Sequence, residues 1–485
     1  MVDDKYKVKN YYPTIGIECH VQLKTATKLF AAVGNDAREA EPNTLISHIC
    51  MGLPGALPVL NEKAVELASR AAFALGTEPQ SFSKFDRKHY FYPDLPMGYQ
   101  ITQYDQPIVI GGRVNAVVNG APMTFDVTRA HLEADAGKST HPSGKNYSLV
   151  DLNRAGTPLL EIVSEPCMHS AAEAKAYAEE LYLLMKYAKV SDVNLYYGNM
   201  RFDVNVSVSK DPNAMGTRTE TKNLNSFKSV SGAVDYEIAR QIEQLEAGQS
   251  IIQETRGWDD DGAKTFSQRT KEDALDYRYF PDPDIPPVTL STEYIEAVKT
   301  SMPTMPDQLR TSFVSVGLEQ SQVDTILDEP IAAELLNYVL EAHGNKTAKT
   351  LGNWLSGAVQ KSIIDGLYDW QKVSDASAHL ITLISMLDAG ELSSTAAKEV
   401  LTSVITDNKD PKTIATQLNL LQLSDTGELE EIVKKVLQEN EKAAQDVAMG
   451  ELKAIGFLVG QVMKASSGKA NPGIVTQIIK NQLGV

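Results

Sequence analysis

Hydrophobic and polar residues alternate along residues 15–23, IGIECHVQL. In an extended chain this puts Ile15, Ile17, Cys19, Val21 and Leu23 on one face and Gly16, Glu18, His20 and Gln22 on the other. The pattern predicts a strand with one buried side, and it recurs. NMRFDVNVSV sets Phe202, Val204, Val206 and Val208 against Arg201, Asp203, Asn205 and Ser207. VTRAHLEADAGK sets Ala130, Leu132 and Ala134 against Arg129, His131, Glu133 and Asp135, and GTRTETKNLNSF groups Arg218, Glu220 and Lys222. One strand with a polar face is ordinary, because antiparallel sheets often wet one side. Four that mix Glu, His and Arg are harder to read as a solvated face, which more usually carries Thr, Lys and Ser. If the four share a sheet, they form a floor. Its carboxylates and imidazoles suit Mg²⁺ or Mn²⁺, and its Arg and Lys side chains suit phosphate oxygens. ATP-dependent phosphoryl transfer requires that combination.

The β-like texture runs to about Leu290, interrupted by helical periodicity at Asn61 to Leu75 and Ser170 to Lys189. A proline-dense passage follows, YFPDPDIPPVTL and then SMPTMPD, which reads as a boundary or stiff connector because proline fixes φ and removes a donor. Beyond it the pattern is helical. In GELEEIVKKVLQEN the apolar residues Leu429, Ile432, Val433, Val436 and Leu437 fall at i, i+3, i+4, i+7 and i+8. A second break is expected at ITDNKDPKT. The expected fold class is α+β: an antiparallel-sheet domain over 1–292, an all-α domain over 293–405 and an all-α tail over 406–485. The stretch from Leu452 to Val485 holds Lys453, Lys464, Lys469 and Lys480 and no acid. It reads either as a solvated helix face or as a basic module that meets phosphates.

Composition narrows the class. The 485 residues suffice for two or three domains, and 42% hydrophobic with 22% charged residues is ordinary for a globular protein. A net charge of −17 argues against nonspecific coating of nucleic acid, though not against a local basic patch. Cys19, Cys50 and Cys167 form no C-x-x-C pair, so neither a disulfide framework nor a cysteine-rich zinc site is suggested. The opening MVDDKYKVKNYYP lacks a signal-peptide core, and no run approaches the ~20 apolar residues of a membrane helix. A cytosolic protein is expected. ADAGKST resembles the end of a P-loop, but the required first glycine falls at Leu132. FDRKHYFYPDLPMGYQITQYDQP packs Tyr90, Phe91, Tyr92, Tyr99 and Tyr104 beside Arg87, Lys88 and His89. Such density usually means core, but the Lys88, Tyr90, Tyr92 alternation also suits a pocket wall.

Taken in order, IGIECHVQL, GLPGALPVLN, FDRKHYFYPDLPMGYQITQYDQPI, HLEADAGK, SLVDLNRAGTPLLEIVSEP, MRFDVNVSV, TKNLNSF and YRYFPDPDIPP resemble the B subunit of bacterial aspartyl/glutamyl-tRNA amidotransferases, from near residue 12 to the end. The resemblance implies a cradle related to glutamine synthetase, then a helical domain and a tRNA-contacting tail of the YqeY type. It implies a carbon–nitrogen ligase with glutamine as amido donor. Misacylated Glu-tRNA(Gln), Asp-tRNA(Asn) or both would be phosphorylated on the side-chain carboxylate with ATP and Mg²⁺. Ammonia from a glutaminase A subunit would then displace phosphate, and a small C subunit would complete a heterotrimer.

By the same resemblance, Glu18, His20 and Glu133 are expected to hold the metal, with Asp203 and Glu220 in support. Lys88 and Tyr90 are expected beside the reacting aminoacyl end. His131, Arg201, Asp203, Arg218, Glu220, Lys222 and Arg154 belong to the expected substrate and phosphate pocket. Lys453, Lys464, Lys469 and Lys480 are the expected tRNA contacts. Cys19, on the apolar face, is expected in the core. Many relatives carry a zinc cluster of cysteines between KLF and GLPG. Here KLFAAVGND and ISHICMGLPG leave Cys50 alone near His48, and no structural zinc is expected. Two rivals stand beside this reading: a free-standing carboxylate–amine ligase of glutamine-synthetase type, and a non-catalytic tRNA adaptor.

Overall fold

The computed structural model describes residues 10–270, 276–422, 426–466 and 469–485. Most of MVDDKYKVKNYYP therefore lies outside the described residues. The chain divides into two compact units, Met1–Asp307 and Gln308–Val485. Strands and helices mix in the first, and every named element of the second is helical.

The first unit is built on a sheet of twelve strands among the described residues: β1 (Tyr12–Gln22), β2 (Asp86–His89), β3 (Tyr99–Thr102), β4 (Val109–Ile110), β5 (Arg113–Val118), β6 (Ala121–Ala134), β7 (Pro158–Ser164), β8 (Met200–Ser209), β9 (Thr219–Leu224), β10 (Glu254–Asp259), β11 (Lys264–Thr270) and β12 (Phe280–Pro281). The spatial order is β11-β10-β9-β8-β1-β7-β6-β3-β2-β12, with β4 and β5 also paired to β6. The four strands singled out by their polar faces lie in this one sheet. A fifth strand, β7, stands between β1 and β6.

The sheet is not wholly antiparallel: β9 and β10 pair in parallel. The helix Phe227–Glu246 separates them in sequence, and such a crossover is how parallel neighbours are joined.

Three helices cover one side: α1 (Glu62–Ala74), α2 (Ala171–Tyr187) and α3 (Phe227–Glu246). The side chains of Asn61, Ser170 and Ser226 accept backbone N–H bonds and cap their first turns. Under these helices Ile15, Ile17, Cys19 and Val21 are at most 1% exposed, in one core with Tyr177, Leu181, Val230 and Val234. Alternation then turns Glu18 and His20 to the opposite face, away from these three helices. Burial of one side thus fixes the register of the polar side.

In the second unit, Thr426–Glu439 is helical and buries Leu429, Val433 and Val436 against Leu458, Val462, Val475 and Ile479. The break near residue 408 is a left-handed Asn408 that ends one helix, followed by Asp410 and Pro411 starting the next. Both neighbouring helices belong to the same compact unit.

Candidate metal and substrate site

Register assembles the polar face. In the β1–β8 pair, Glu18 is opposite Asp203 and His20 opposite Arg201. On the other side of β1, His20 is opposite Glu161, and Glu161 is in turn opposite His131. Across β6 and β3, Glu133 faces Thr102, and Lys88 faces Gln100 two residues along the same face. Side chains that are up to two hundred residues apart in sequence therefore project from one surface.

Two groups of potential ligands result. In the first, His20 Nε2 lies 3.5 Å from Glu161 Oε2 and 3.8 Å from Glu133 Oε1. His131 Nε2 lies 3.6 Å from Glu161 Oε2 and 3.9 Å from Glu133 Oε2. These contacts are too long for good hydrogen bonds. Ligand atoms around a divalent cation are spaced by about 3 to 5 Å, which matches them. The second group is Glu18, Asp203 and Glu220; one ligand atom from each of these three lies within 4.8 Å of the others, as it does for His20, Glu133 and Glu161 in the first. Among the described residues neither group contains a cysteine.

The hydrogen bonding is uneven. Asp203 accepts from Lys222 Nζ at 2.8 Å and from the Asn223 N–H at 2.8 Å, and Lys222 also meets Glu220 Oε1 at 2.8 Å. Glu18 accepts from Asn205 Nδ2 at 3.2 Å. By contrast, among the described residues the ion-pair partners of Glu133 are the two imidazoles, and the buried Nδ1 atoms of His20 and His131 have no hydrogen-bond partner. Buried polar groups are normally paired, and the long Nε2–carboxylate contacts, rather than the unpartnered Nδ1 atoms on the far side of each ring, are what a cation would fit.

The electrostatics agree. Burial raises Glu133 to about 7, reinforced by Glu161 beside it, and burial with Glu161 and Glu220 raises Glu18. Burial, aided by Arg129 and Lys88, drags His131 down to about 4 against the pull of Glu161. For His20 burial pulls the same way, but Glu161, Glu133 and Asp203 outweigh it and lift the imidazole to about 9. Glu161 moves against its burial, held below the ordinary carboxylate range by the imidazoles and Lys88. Without a metal the His20 imidazolium therefore balances part of the carboxylate charge, and a cation bound here would displace that proton before the imidazole could ligate.

Cations rim the floor. Burial opposes the charge on Lys88, but Glu133 and its neighbours outweigh it and keep the ammonium charged; its Nζ sits 4.9 Å from the Tyr277 ring centre and 6.0 Å from that of Tyr90. Tyr90 donates to Gln100 Oε1 at 3.3 Å, and Gln100 Nε2 donates to the Ala134 carbonyl at 3.0 Å. Arg201 and Arg154 both reach Asp135, and Arg154 lines a polar cleft of about 370 Å³ with Lys24, Arg38 and Asn199. Arg218 precedes β9, is exposed, and enters none of these contacts. Lys453 and Lys464 are exposed in the second unit, while Lys469 and Lys480 are half-buried.

Glu161 is a member of the site that the sequence pattern does not single out. It sits among Leu159, Leu160, Ile162 and Val163, a run that reads as a strand buried on both faces. The available signal is the single acid at the alternate position between Leu160 and Ile162. Asp135, visible on the polar face of its strand, takes a larger part than its pattern assigns. The tyrosines at 277 and 279 stand within a segment that reads as connector.

Comparison with known proteins decides the family. Residues 13–296 match the family model of the GatB/GatE catalytic domain, and residues 335–483 match that of the GatB domain. The chain is 42% identical over 482 residues to the B subunit of the aspartyl/glutamyl-tRNA(Asn/Gln) amidotransferase of Carboxydothermus hydrogenoformans, covering 98% of this chain and 99% of that protein. This chain belongs to the amidotransferase B-subunit family. The family likeness extends to the corresponding B subunit of Persephonella marina, 42% identical over 475 residues at 98% and 99% coverage. It also includes the B subunit of the chloroplastic/mitochondrial glutamyl-tRNA(Gln) amidotransferase of Oryza sativa subsp. japonica, 43% identical over 484 residues, covering 98% of this chain and 88% of the relative. Among the described residues no helix is long and apolar enough to cross a membrane.

Proposed function

We propose that this chain performs the carboxylate-activating and amide-forming steps of tRNA-dependent amidation, in a cytosolic complex with a glutaminase A subunit and a small C subunit. The substrates are Glu-tRNA(Gln), Asp-tRNA(Asn) or both, with ATP. A free carboxylate is a poor acyl donor because its leaving group would be oxide. Its oxygen first attacks the γ-phosphorus of ATP and ADP departs. The nitrogen of ammonia then attacks the acyl carbon, phosphate leaves, and nitrogen sheds a proton to give the amide.

In this reading His20, Glu133 and Glu161 hold one cation, and Glu18, Asp203 and Glu220 hold a second or support the first. Mg²⁺ or Mn²⁺, when bound, neutralises charge on the phosphoryl group in transfer. Lys88 directs its ammonium toward the same place from the tyrosine side, and Tyr90, held by Gln100, orients the aminoacyl end. Lys222 pairs with Asp203 and Glu220, and Arg201 with Asp135, while His131, Arg154 and Arg218 complete the phosphate and substrate surroundings. Residues 1–292 act as the cradle related to glutamine synthetase, 293–405 as a helical domain, and 406–485 as a tail whose Lys453, Lys464, Lys469 and Lys480 meet tRNA phosphates.

The observation that carries this reading is the under-satisfied carboxylate–imidazole nest beside Lys88, in a chain about 42% identical to curated amidotransferase B subunits. The test is reconstitution with the A and C subunits, ATP, Mg²⁺ and Glu-tRNA(Gln), with glutamine or ammonium as nitrogen source. Gln-tRNA should form from either donor and disappear with Glu18→Gln, while tRNA binding survives. Normal amidation by that variant would remove the metal assignment. Formation of free glutamine from free glutamate would instead favour the small-acid ligase.

A further inference from the structure

Residues 277–284 run along the outer edge of the sheet and place aromatic rings beside the metal nest. Phe280 and Pro281 pair with Arg87 and Asp86 of β2. The Asp282 N–H donates to the Phe85 carbonyl at 2.9 Å, and the His89 N–H donates to the Tyr277 carbonyl at 2.9 Å. Arg87 fastens this strap: its Nε meets Asp282 at 2.8 Å and its Nη2 meets Asp284 at 2.8 Å. The same guanidinium lies 4.3 Å from the Tyr99 ring centre, and the His89 ring stacks on Phe280 at 5.0 Å. A planar cation with two carboxylate partners and a ring beneath it is a rigid fastening.

The fastening delivers two tyrosines to the site. The Tyr277 ring packs on Lys88. The Tyr279 ring lies parallel to Tyr104, with centres 3.9 Å apart and 9° between planes, and Tyr104 is 50% exposed. The Tyr279 ring centre lies 5.9 Å from that of Tyr277, whose ring packs on Lys88, so this slab borders the lysine side of the nest. A flat two-ring slab with an open edge, next to a lysine and a cation nest, fits a planar base whose attached phosphate or acyl group reaches the floor.

We propose that Tyr279 and Tyr104 form a stacking platform for adenosine, and that Arg87 is the positioning residue that holds the platform against Lys88. Adenosine is common to ATP and to the 3′ end of tRNA. The proposal rests on the amidation reading above for the identity of those substrates.

The test uses the full heterotrimer and titrates ATP and Glu-tRNA(Gln) separately. Tyr279→Leu should raise KM for one of the two about tenfold with kcat nearly unchanged, since one lost base–aromatic stack is worth about that factor. Tyr279→Phe, which keeps the ring, should match the parent. Arg87→Ala should reproduce the KM rise and speed hydrogen exchange at the His89 and Asp282 amides while exchange in β1 and β8 stays slow, and Arg87→Lys should restore part of both. A rise for ATP assigns the base to the nucleotide, and a rise for Glu-tRNA assigns it to the tRNA end. Unchanged KM for both in Tyr279→Leu, or faster strap exchange in Arg87→Ala with neither KM moved, would overturn the proposal. If the parent complex makes no amide, the amidation reading falls. The platform is then judged by ATP and aminoacyl-tRNA affinities of the parent and Tyr279→Leu complexes: a loss for one ligand supports it, and no loss for either overturns it.

Discussion

Glu237 and Glu133 are both buried acids of the same unit, and they are treated in opposite ways. Glu237, on the helix side, has a fully buried side chain. It receives Thr219 Oγ1 at 2.7 Å, Arg240 at 2.8 and 2.9 Å, Arg256 Nε at 3.0 Å and the Thr265 hydroxyl. Burial would raise it, but the Arg240 and hydroxyl contacts win and hold it below the ordinary carboxylate range. Glu133, on the open face, finds imidazole nitrogens no closer than 3.8 Å and a second carboxylate, Glu161, beside it; its pKa rises to about 7. The fold can thus satisfy a buried carboxylate completely. Where it leaves one short of partners next to another, the deficit is what the cation of the proposed reading would fill.

Three substitutions would sharpen or break this contrast. The largest expected effect is on catalysis: Glu161→Gln should slow amidation by the reconstituted complex by roughly a hundredfold or more, with tRNA affinity unchanged, as expected for loss of charge that organises a phosphoryl-transfer site. A variant within a few-fold of the parent rate would make Glu161 a bystander. Next, Glu237→Gln should lower unfolding stability by roughly 3 kcal/mol in urea melts, because it removes the buried carboxylate shared by Arg240 and Arg256 and leaves them, among the described residues, only Gln244, Glu254 and Thr265. Glu133→Gln should behave oppositely. Removing one of two crowded charges should leave metal-free stability within about 1 kcal/mol of the parent or raise it. A loss as large as that of Glu237→Gln would mean that Glu133 is a structural acid too.

A smaller effect is a pH signature. Glu237 is depressed in the folded state, so its contribution is complete above the unfolded value of about 4.3 and is lost as pH falls below that toward the folded value. The stability gap between the parent and Glu237→Gln should therefore be constant above about pH 5 and narrow on acidification. A gap that stays constant down to pH 3 would contradict the assignment.

How legible the site is in the sequence depends on the residue. Glu18 and His20 are visible because their strand buries one face only, so period-two alternation exposes them as a pair. Their partners on β8 and β9 are visible for the same reason. Glu161 is hidden because β7 packs apolar residues at most of its positions, and only the neighbouring strands reveal that its one acid faces the nest. The parallel β9–β10 pair and the order that slips β7 between β1 and β6 are tertiary facts that no local period encodes. Tyr277 and Tyr279 are masked by the prolines that follow them, which signal a connector although Arg87 binds that connector to the sheet edge. The second unit follows its helical periodicity closely, with Leu429, Val433 and Val436 inward as their spacing requires.

The most direct measurement is Mn²⁺ binding by the purified heterotrimer, followed by calorimetry and by the metal-induced shift in melting temperature. Mn²⁺ should bind and raise the melting temperature of the parent and of Glu237→Gln alike, and should bind more weakly or at one site fewer, with a smaller melting shift, in Glu133→Gln or Glu161→Gln. Equal Mn²⁺ affinity and stoichiometry in all four proteins would show that the carboxylate–imidazole nest is not where the cation sits.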